Sequence, residues 1–319
     1  MTPDALRTIL ENIDAEYRAA YGDVSTLTDA VKVQQATISD LEVKVYLLTG
    51  HVGALEAEIA ALKAAQTPLK SKMLMGATID KRDSTQAAER AAFEAKTGPL
   101  QCRRVFLSGA PTVANLATAL AQDKDRNHRI LSYKGDASDD VLRSIPQDGF
   151  RTWLVKWHEP ENDGGTHTAA WFRAQTDAHI AQVKRLGRPD LIPAFVLMGW
   201  LERDANAATT SADWFPADKT GVVLLLDPYD PNNRLTLAQA TKPTLDLWRA
   251  NGGTRWGIAE TATHRTGEAG AAWVRDGHAW ATAEGAETLL WFHSAVGAEG
   301  PWWMDDPAVC AAWRALNVE

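Results

Sequence analysis

The chain has 319 residues, a net charge of −8 and an apolar fraction of 45%. That charge gives a nucleic-acid role no electrostatic support, and apolar runs such as 222–226 fall far short of the ~18 residues a membrane span needs. Only two cysteines occur, Cys102 and Cys310, far apart and without metal-ligand spacing, so a disulfide framework is excluded, though a single bridge is not, and two buried thiols are expected.

The first residues, Met1-Thr-Pro-Asp, lack a basic region followed by an apolar one, so no secretory signal is expected. Residues 4–21 read as an amphipathic helix with Leu6, Ile9, Leu10, Ile13 and Tyr17 on one side. Gly22-Asp23 breaks that pattern, so residues 1–22 are expected to be a separate attachment helix. From there Val24, Val31, Ile38, Val45, Val52 and Ile59 repeat every seven residues, and Leu27, Gln34, Leu41, Leu48, Leu55 and Leu62 fill the intervening position. β-Branched residues at a and mostly leucine at d make residues 23–67 a coiled-coil oligomerisation segment. Its length would be about 60 Å at 1.5 Å per residue. The a/d rule leans towards a dimer, and Gln34 at d would fix the register. Thr67-Pro68 ends the helix and residues 69–72 form a short link.

Residues 72–319 carry eight short apolar strand candidates, beginning near Met73, Arg103, Arg129, Thr152, Ile192, Gly221, Arg255 and Glu287. Helix-like segments separate most of them. Asp83 and Gln86 start one that Gly98 ends, another runs from about Ala169 to Leu186, and Asp306-Pro307 starts the last. Alternation of this kind implies a parallel sheet, and eight units in this length fit a closed (β/α)8 barrel. The fold class is therefore α/β, an N-terminal coiled-coil helix followed by a TIM-like barrel. No Gly-x-Gly-x-x-Gly and no P-loop occur, so no nucleotide cofactor is expected.

Active sites of such barrels lie at the carboxyl ends of the strands. Here those ends carry Asp80, then Tyr133-Lys134, His158-Glu159, Trp200 with Glu202, Asp227 with Tyr229, Glu260, and Trp291 with His293. Two stretches stand out: Trp153-Leu-Val-Lys-Trp-His-Glu-Pro-Glu-Asn162 and Arg255-Trp-Gly-Ile-Ala-Glu260-Thr, each an apolar run that stops on a glutamate. A carboxylate at the end of a buried strand is costly unless paired or used. Glu159 and Glu260, on strands four and seven, would face each other across the mouth. Two facing carboxylates are what glycoside hydrolysis requires, and aromatic rings suit the apolar faces of sugars. The plainer alternatives are that Glu159 and Glu161 cap a helix or pair with Lys156, and that Glu260 pairs with Arg255 or Arg265. The run Asp227-Pro-Tyr-Asp-Pro-Asn-Asn233 has oxygens suited to calcium but reads as a turn, so no metal is expected. Of the 13 tryptophans, Trp248, Trp273 and Trp313 are expected to pack on the barrel, while Trp302-Trp303 sits where a sugar could stack.

Trp157-His-Glu-Pro-Glu-Asn162 resembles the acid/base segment of clan A glycoside hydrolases, in particular the mannanase-like family with histidine before the glutamate. Ile258-Ala-Glu-Thr261 resembles the clan's nucleophile segment. The resemblance implies a retaining endo-glycoside hydrolase with Glu159 as acid/base and Glu260 as nucleophile. It further implies that His158 orients a glutamate or holds a hydroxyl, that Tyr229 bonds the nucleophile, and that Trp291 floors the reacting subsite. Glu161, Trp200, His293 and Trp302 complete the expected substrate-binding set. His158 and Glu161 depart from the commoner clan pattern, which leaves open a site kept for binding alone.

A self-associating helix ahead of a sugar-acting barrel also resembles the minor tail proteins and tail fibres of phages that infect actinobacteria. That resemblance implies a virion tail protein, trimeric in preference to dimeric, whose partners are a host cell-surface glycan and other tail proteins. A structural tail protein without glycan binding, and a free-standing oligomeric hydrolase, are the competing readings.

Overall fold

A computed structural model of the chain describes residues 2–65, 72–80, 85–121, 127–162, 167–295 and 300–317, with only the backbone path of residues 54–65. The chain divides into two units, residues 1–69 and 70–319.

The first unit is one helix, α1 (Pro3–Ala65). It runs unbroken through Gly22, so the helix itself does not end where the sequence pattern suggested a break. A glycine in an exposed helix costs only about 1 kcal/mol relative to alanine, and the apolar register does not change there. Leu10 and Tyr17 fall on the seven-residue series of Val24, and Leu6 and Ile13 on that of Leu27. This seam is open along its described length: Leu10 is 58%, Val24 59%, Leu27 65% and Leu48 62% exposed. Pairs such as Arg7–Glu11, Arg18–Asp14 and Lys44–Asp40 line the rest of the surface at helical spacing. The expected stop at Thr67-Pro68, and all of the link but its last residue, lie outside the described residues.

The second unit is a closed parallel barrel. Its ring comprises β1 (Leu74–Ile79), β2 (Cys102–Leu107), β3 (His128–Tyr133), β4 (Thr152–Lys156), β5 (Leu191–Leu197), β6 (Val223–Leu226), β8 (Arg255–Thr263) and β9 (Thr288–His293). Each pairs in parallel with the next, β6 pairs with β8, and β9 returns to β1. The two-residue β7 (Tyr229–Asp230) pairs only with the far end of β8. Strands buried on both faces must be nearly all apolar, which is why the sequence announced them. Helices α2 (Gln86–Thr97), α3 (Val113–Leu120), α4 (Asp139–Arg143), α5 (Ala169–Arg185), α6 (Leu237–Ala250), α7 (Gly267–Ala283) and α8 (Pro307–Asn317) surround the ring. Thr85 caps α2 through Ala88 N; Asp83 lies outside the described residues. Asp306 caps α8 through Ala308 N and Val309 N, as its sequence implied.

Alternation sorts the side chains. Cys102, Ile130, Trp153, Val155, Val223, Leu225 and Leu290 fill the ring, while Trp248, Trp256, Trp273 and Trp313 pack between ring and helices. Gly76 is required on the inner face, where an added Cβ would lie 1.8 Å from the Cys102 carbonyl oxygen. Both cysteines are free and buried. The same alternation decides which polar groups reach the mouth: on β2 it sends Val105 and Leu107 outward and Arg104 inward.

Candidate active site

Glu260 is nearly buried, 3% exposed. Ala259 belongs to the ring's interior cluster, so strict alternation would turn Glu260 outward. The register between β8 and β9 slips between Ile258 and Thr261, and a bulge of this kind re-aims a side chain. Glu260 therefore also faces the mouth. Its Oε1 accepts from Thr78 Oγ1 (2.7 Å) and its Oε2 from the Tyr229 hydroxyl (2.7 Å). Arg255 and Arg265 do not reach it; they pair with Glu287 and Asp230.

Glu159 is placed by an irregular backbone. Trp157 and Glu159 both have positive φ, 58° and 51°, a left-handed conformation that costs a non-glycine residue roughly 1–2 kcal/mol. The double reversal ends β4 and brings His158 and Glu159 to the cleft. The Glu159 N–H donates to the Val196 carbonyl at 3.2 Å, which ties the turn to β5. Lys156 faces outward to Asp136 and Gln175, so it does not neutralise Glu159 or Glu161.

Under the two glutamates lies a third acid, Asp227, at the end of β6. One oxygen from each of Glu159, Asp227 and Glu260 lies within 4.8 Å of the others. Arg104 enters from β2, its Nη1 2.6 Å from Asp227 and 3.5 Å from Glu260, with Nε on Ser132 Oγ at 3.1 Å. One buried cation cannot balance two buried anions and a third that is partly buried. Burial pushes Glu260 up to about 7, against the pull of Arg104, Thr78 and Tyr229. Burial also raises Asp227 well above its ordinary value despite Arg104. Glu159 is raised by burial too, opposed by a hydrogen bond with Asp227 and reinforced by the Glu260 charge. The cluster thus holds at least one proton near neutrality. Tyr229 is raised by burial and by Glu260, and stays a donor. Burial, with Arg104 and Lys134 nearby, lowers His158 to about 3, so the imidazole is neutral. The three oxygens are close enough to chelate a cation, but the Arg104 guanidinium already meets two of the acids. A metal would be opposed by that charge.

These groups open into a cleft of about 820 Å³, also lined by Phe106, Asn162, Met198, Trp200, Phe292 and Trp302. Trp302 stacks on His264 with ring centroids 4.2 Å apart. Phe106 lies over the Arg104 guanidinium at 4.5 Å and meets His158 edge-on at 5.0 Å.

Three expected site residues are elsewhere. Trp291 faces outward, donating to the Trp302 carbonyl at 3.0 Å and packing on Trp273 and Trp313. His293, on the same face of β9, meets Glu89 at 3.0 Å and accepts from Met304 N at 3.1 Å. The intervening residue, Phe292, is the one that looks into the cleft. Glu161 turns under the loop in the short turn Pro160–Asn162 and accepts from Met198 N. Burial holds it protonated up to about 8. In the Asp227–Asn233 stretch Arg104 donates to Asp227 Oδ2, Arg265 to Asp230 Oδ2 and Thr263 to Asn233 Oδ1. Thr78, Arg104 and Phe292 carried no sequence expectation. Arg104 alone left a signal, since two consecutive arginines in a buried strand force one of them inside.

No protein-family model matches the chain, and no curated protein sequence does. Solved structures do. A GH39 β-xylosidase from Caulobacter crescentus shares 13% identity over 79% of this chain and 72% of its own, with a TM-score of 0.51. XEG5A, a GH5 xyloglucan-specific endo-β-1,4-glucanase from a metagenomic library, shares 11% over 78% and 98%, with a TM-score of 0.50. A ruminal GH26 endo-β-1,4-mannanase shares 11% over 78% of this chain, TM-score 0.47, and the chain spans 64% of its length. These neighbours are clan A glycoside hydrolases built on an eight-stranded parallel barrel. What they have in common with this chain is the fold.

Proposed function

We propose that residues 70–319 form a glycan-cleaving barrel that works with retention of configuration, with Glu260 as nucleophile and Glu159 as general acid/base. The observation that carries this reading is the meeting of the two carboxyl groups, within 4.8 Å, at the mouth of the barrel. Retaining enzymes hold their carboxyl pair about 5–5.5 Å apart, inverting ones leave room for a water. Glu159 gives its proton to the glycosidic oxygen as the bond from the anomeric carbon breaks. An oxygen of Glu260 attacks that carbon and forms a glycosyl ester. Glu159 then takes a proton from water, whose oxygen displaces Glu260. Thr78, Tyr229 and Arg104 stabilise the carboxylate of Glu260 when it is released. Trp200 and Phe292 offer faces for sugar rings, and Trp302, stacked on His264, backs the cleft. A second reading, binding without cleavage, draws on the bond between Glu159 and Asp227, which competes for the acid.

For the whole chain we propose a virion tail or tail-fibre protein that meets a host cell-surface polysaccharide, trimeric through α1, with other tail proteins as further partners. The exposed seven-residue seam supports self-association. The sugar-directed cleft supports the glycan.

The test is to incubate the purified chain with β-linked polysaccharides and with actinobacterial wall glycan, and to measure new reducing ends. A slow 2-fluoro glycoside should leave an ester on Glu260, read by mass spectrometry. Glu159→Gln should cut turnover by about 10²–10⁴, and Glu260→Gln should abolish the ester while binding persists. Binding with no cleavage of any substrate would favour the second reading. No binding at all would sink both.

A further inference from the structure

The cleft carries two cations that the proposed steps do not use. Arg203 ends the short turn Leu201–Arg203 after β5, Arg234 follows β7, and both line the cleft. Arg203 is exposed. Its Nη1 donates to the Ala240 carbonyl at 2.5 Å, and among the described residues it forms no ion pair. Its neighbour Glu202 is turned away, accepting from Ser211 N (2.7 Å), Ser211 Oγ (2.8 Å) and Thr244 Oγ1 (2.6 Å). Burial lowers the Arg203 guanidinium below its ordinary value. Arg234 is exposed. Its backbone N–H reaches Asp230 at 2.7 Å, but that carboxylate is answered by Arg265 at 3.0 Å.

Many arginines elsewhere in this unit pair with acids, as Arg104 does with Asp227, Arg129 with Asp148 and Arg255 with Glu287, while Arg314, among the described residues, meets only the Ala95 carbonyl. With a net charge of −8 the chain has no shortage of acids. What distinguishes Arg203 and Arg234 is their place: both line the one cleft and neither makes an ion pair among the described residues, although the Glu202 charge reaches Arg203. A neutral sugar gives such groups only hydroxyls. The fork of an arginine matches the paired oxygens of a carboxylate or phosphate.

We propose that the cleft takes an anionic glycan, and that Arg203 and Arg234 hold the carboxylate or phosphate of its charged sugar. This rests on the reading of the cleft as a glycan site and names the class of glycan. Asn232, which also lines the cleft, supplies an amide for the neighbouring hydroxyls.

The experiment is calorimetric titration of the full chain carrying Glu260→Gln, so that ligand survives. The probes are oligogalacturonate for the carboxylate, a phosphomannan oligosaccharide for the phosphate, and neutral manno- and gluco-oligosaccharides. One anionic probe should bind at least about tenfold tighter than the neutral ones and weaken as salt rises. Whichever it is identifies the charged group. Adding Arg203→Gln and Arg234→Gln should cost about 10- to 100-fold for that probe and leave neutral binding unchanged. Arg234→Gln alone, at an exposed side chain, should give part of that loss without a folding defect. Neutral probes binding as tightly as both anionic ones would overturn the inference and leave the glycan reading intact, as would unchanged anionic affinity in the folded double variant. No binding of any probe would overturn both.

Discussion

At the scale of single residues the barrel is governed by one cation among several acids. Arg104 is fully buried between Asp227 and Glu260. Removing one partner of a buried ion pair costs more than the pair itself contributes, about 3–5 kcal/mol. Arg104→Met should lower the unfolding free energy by that amount in urea titration, with a smaller loss at acid pH, where the stranded carboxyls are protonated. Glu161 gives a pH signature of its own. Its folded pKa of about 8 lies above the ordinary 4.5, so its contribution is complete below 4.5 and is lost as pH rises through 8. Wild type should therefore fall in stability between pH 5 and 8 by a few kcal/mol, and Glu161→Gln should flatten that slope. His158 works in the other direction. With a folded value of about 3 against 6.5, it favours the fold above 6.5 and erodes it as pH falls towards 3. Differential scanning calorimetry across pH separates the two. Of these residues the sequence offered Glu159, Glu260, His158 and Tyr229, because each sits where an apolar run stops. It offered Asp227 as a strand-end acid and as part of a turn, but not its partner, because the arginine that binds it comes from a strand 123 residues away in sequence.

Elements were more legible than their faces. All eight ring strands could be placed within about two residues because a strand buried on both sides must be apolar throughout. That same uniformity hides which side is which. In Thr288–His293 no charged residue fixes the alternation, so Trp291 and His293 looked as eligible for the cleft as Phe292 does in fact. The bulge in β8 is equally silent, since nothing in Ile-Ala-Glu-Thr distinguishes it from a regular strand. For α1 the difficulty ran the other way. Gly22 suggested a boundary, but the seven-residue register passes through it. Helix association should therefore depend on the middle of the seam and not on one end. Ile38→Asp with Leu41→Asp, at residues 55% and 53% exposed in the lone helix, should convert the proposed oligomer to monomer in sedimentation equilibrium. The melting transition of the barrel should stay within a degree or two, because residues 70–319 form a unit of their own.

For the whole molecule, the proposed reading assigns number to one unit and chemistry to the other. If α1 gathers copies, their clefts act on one polymer together, and avidity can exceed single-site affinity by about 10²–10⁴ without any new contact. Residues 70–319 alone should then match the full chain in turnover on soluble oligosaccharide, yet lose retention on insoluble wall glycan by a factor in that range, measured by pull-down. The backbone at the end of β4 bears on how such a protein can age. Trp157 and Glu159 hold left-handed conformations that glycine or asparagine would adopt with less strain. Mutation towards robustness alone would erase this glutamate early, since its replacement would make the chain sturdier.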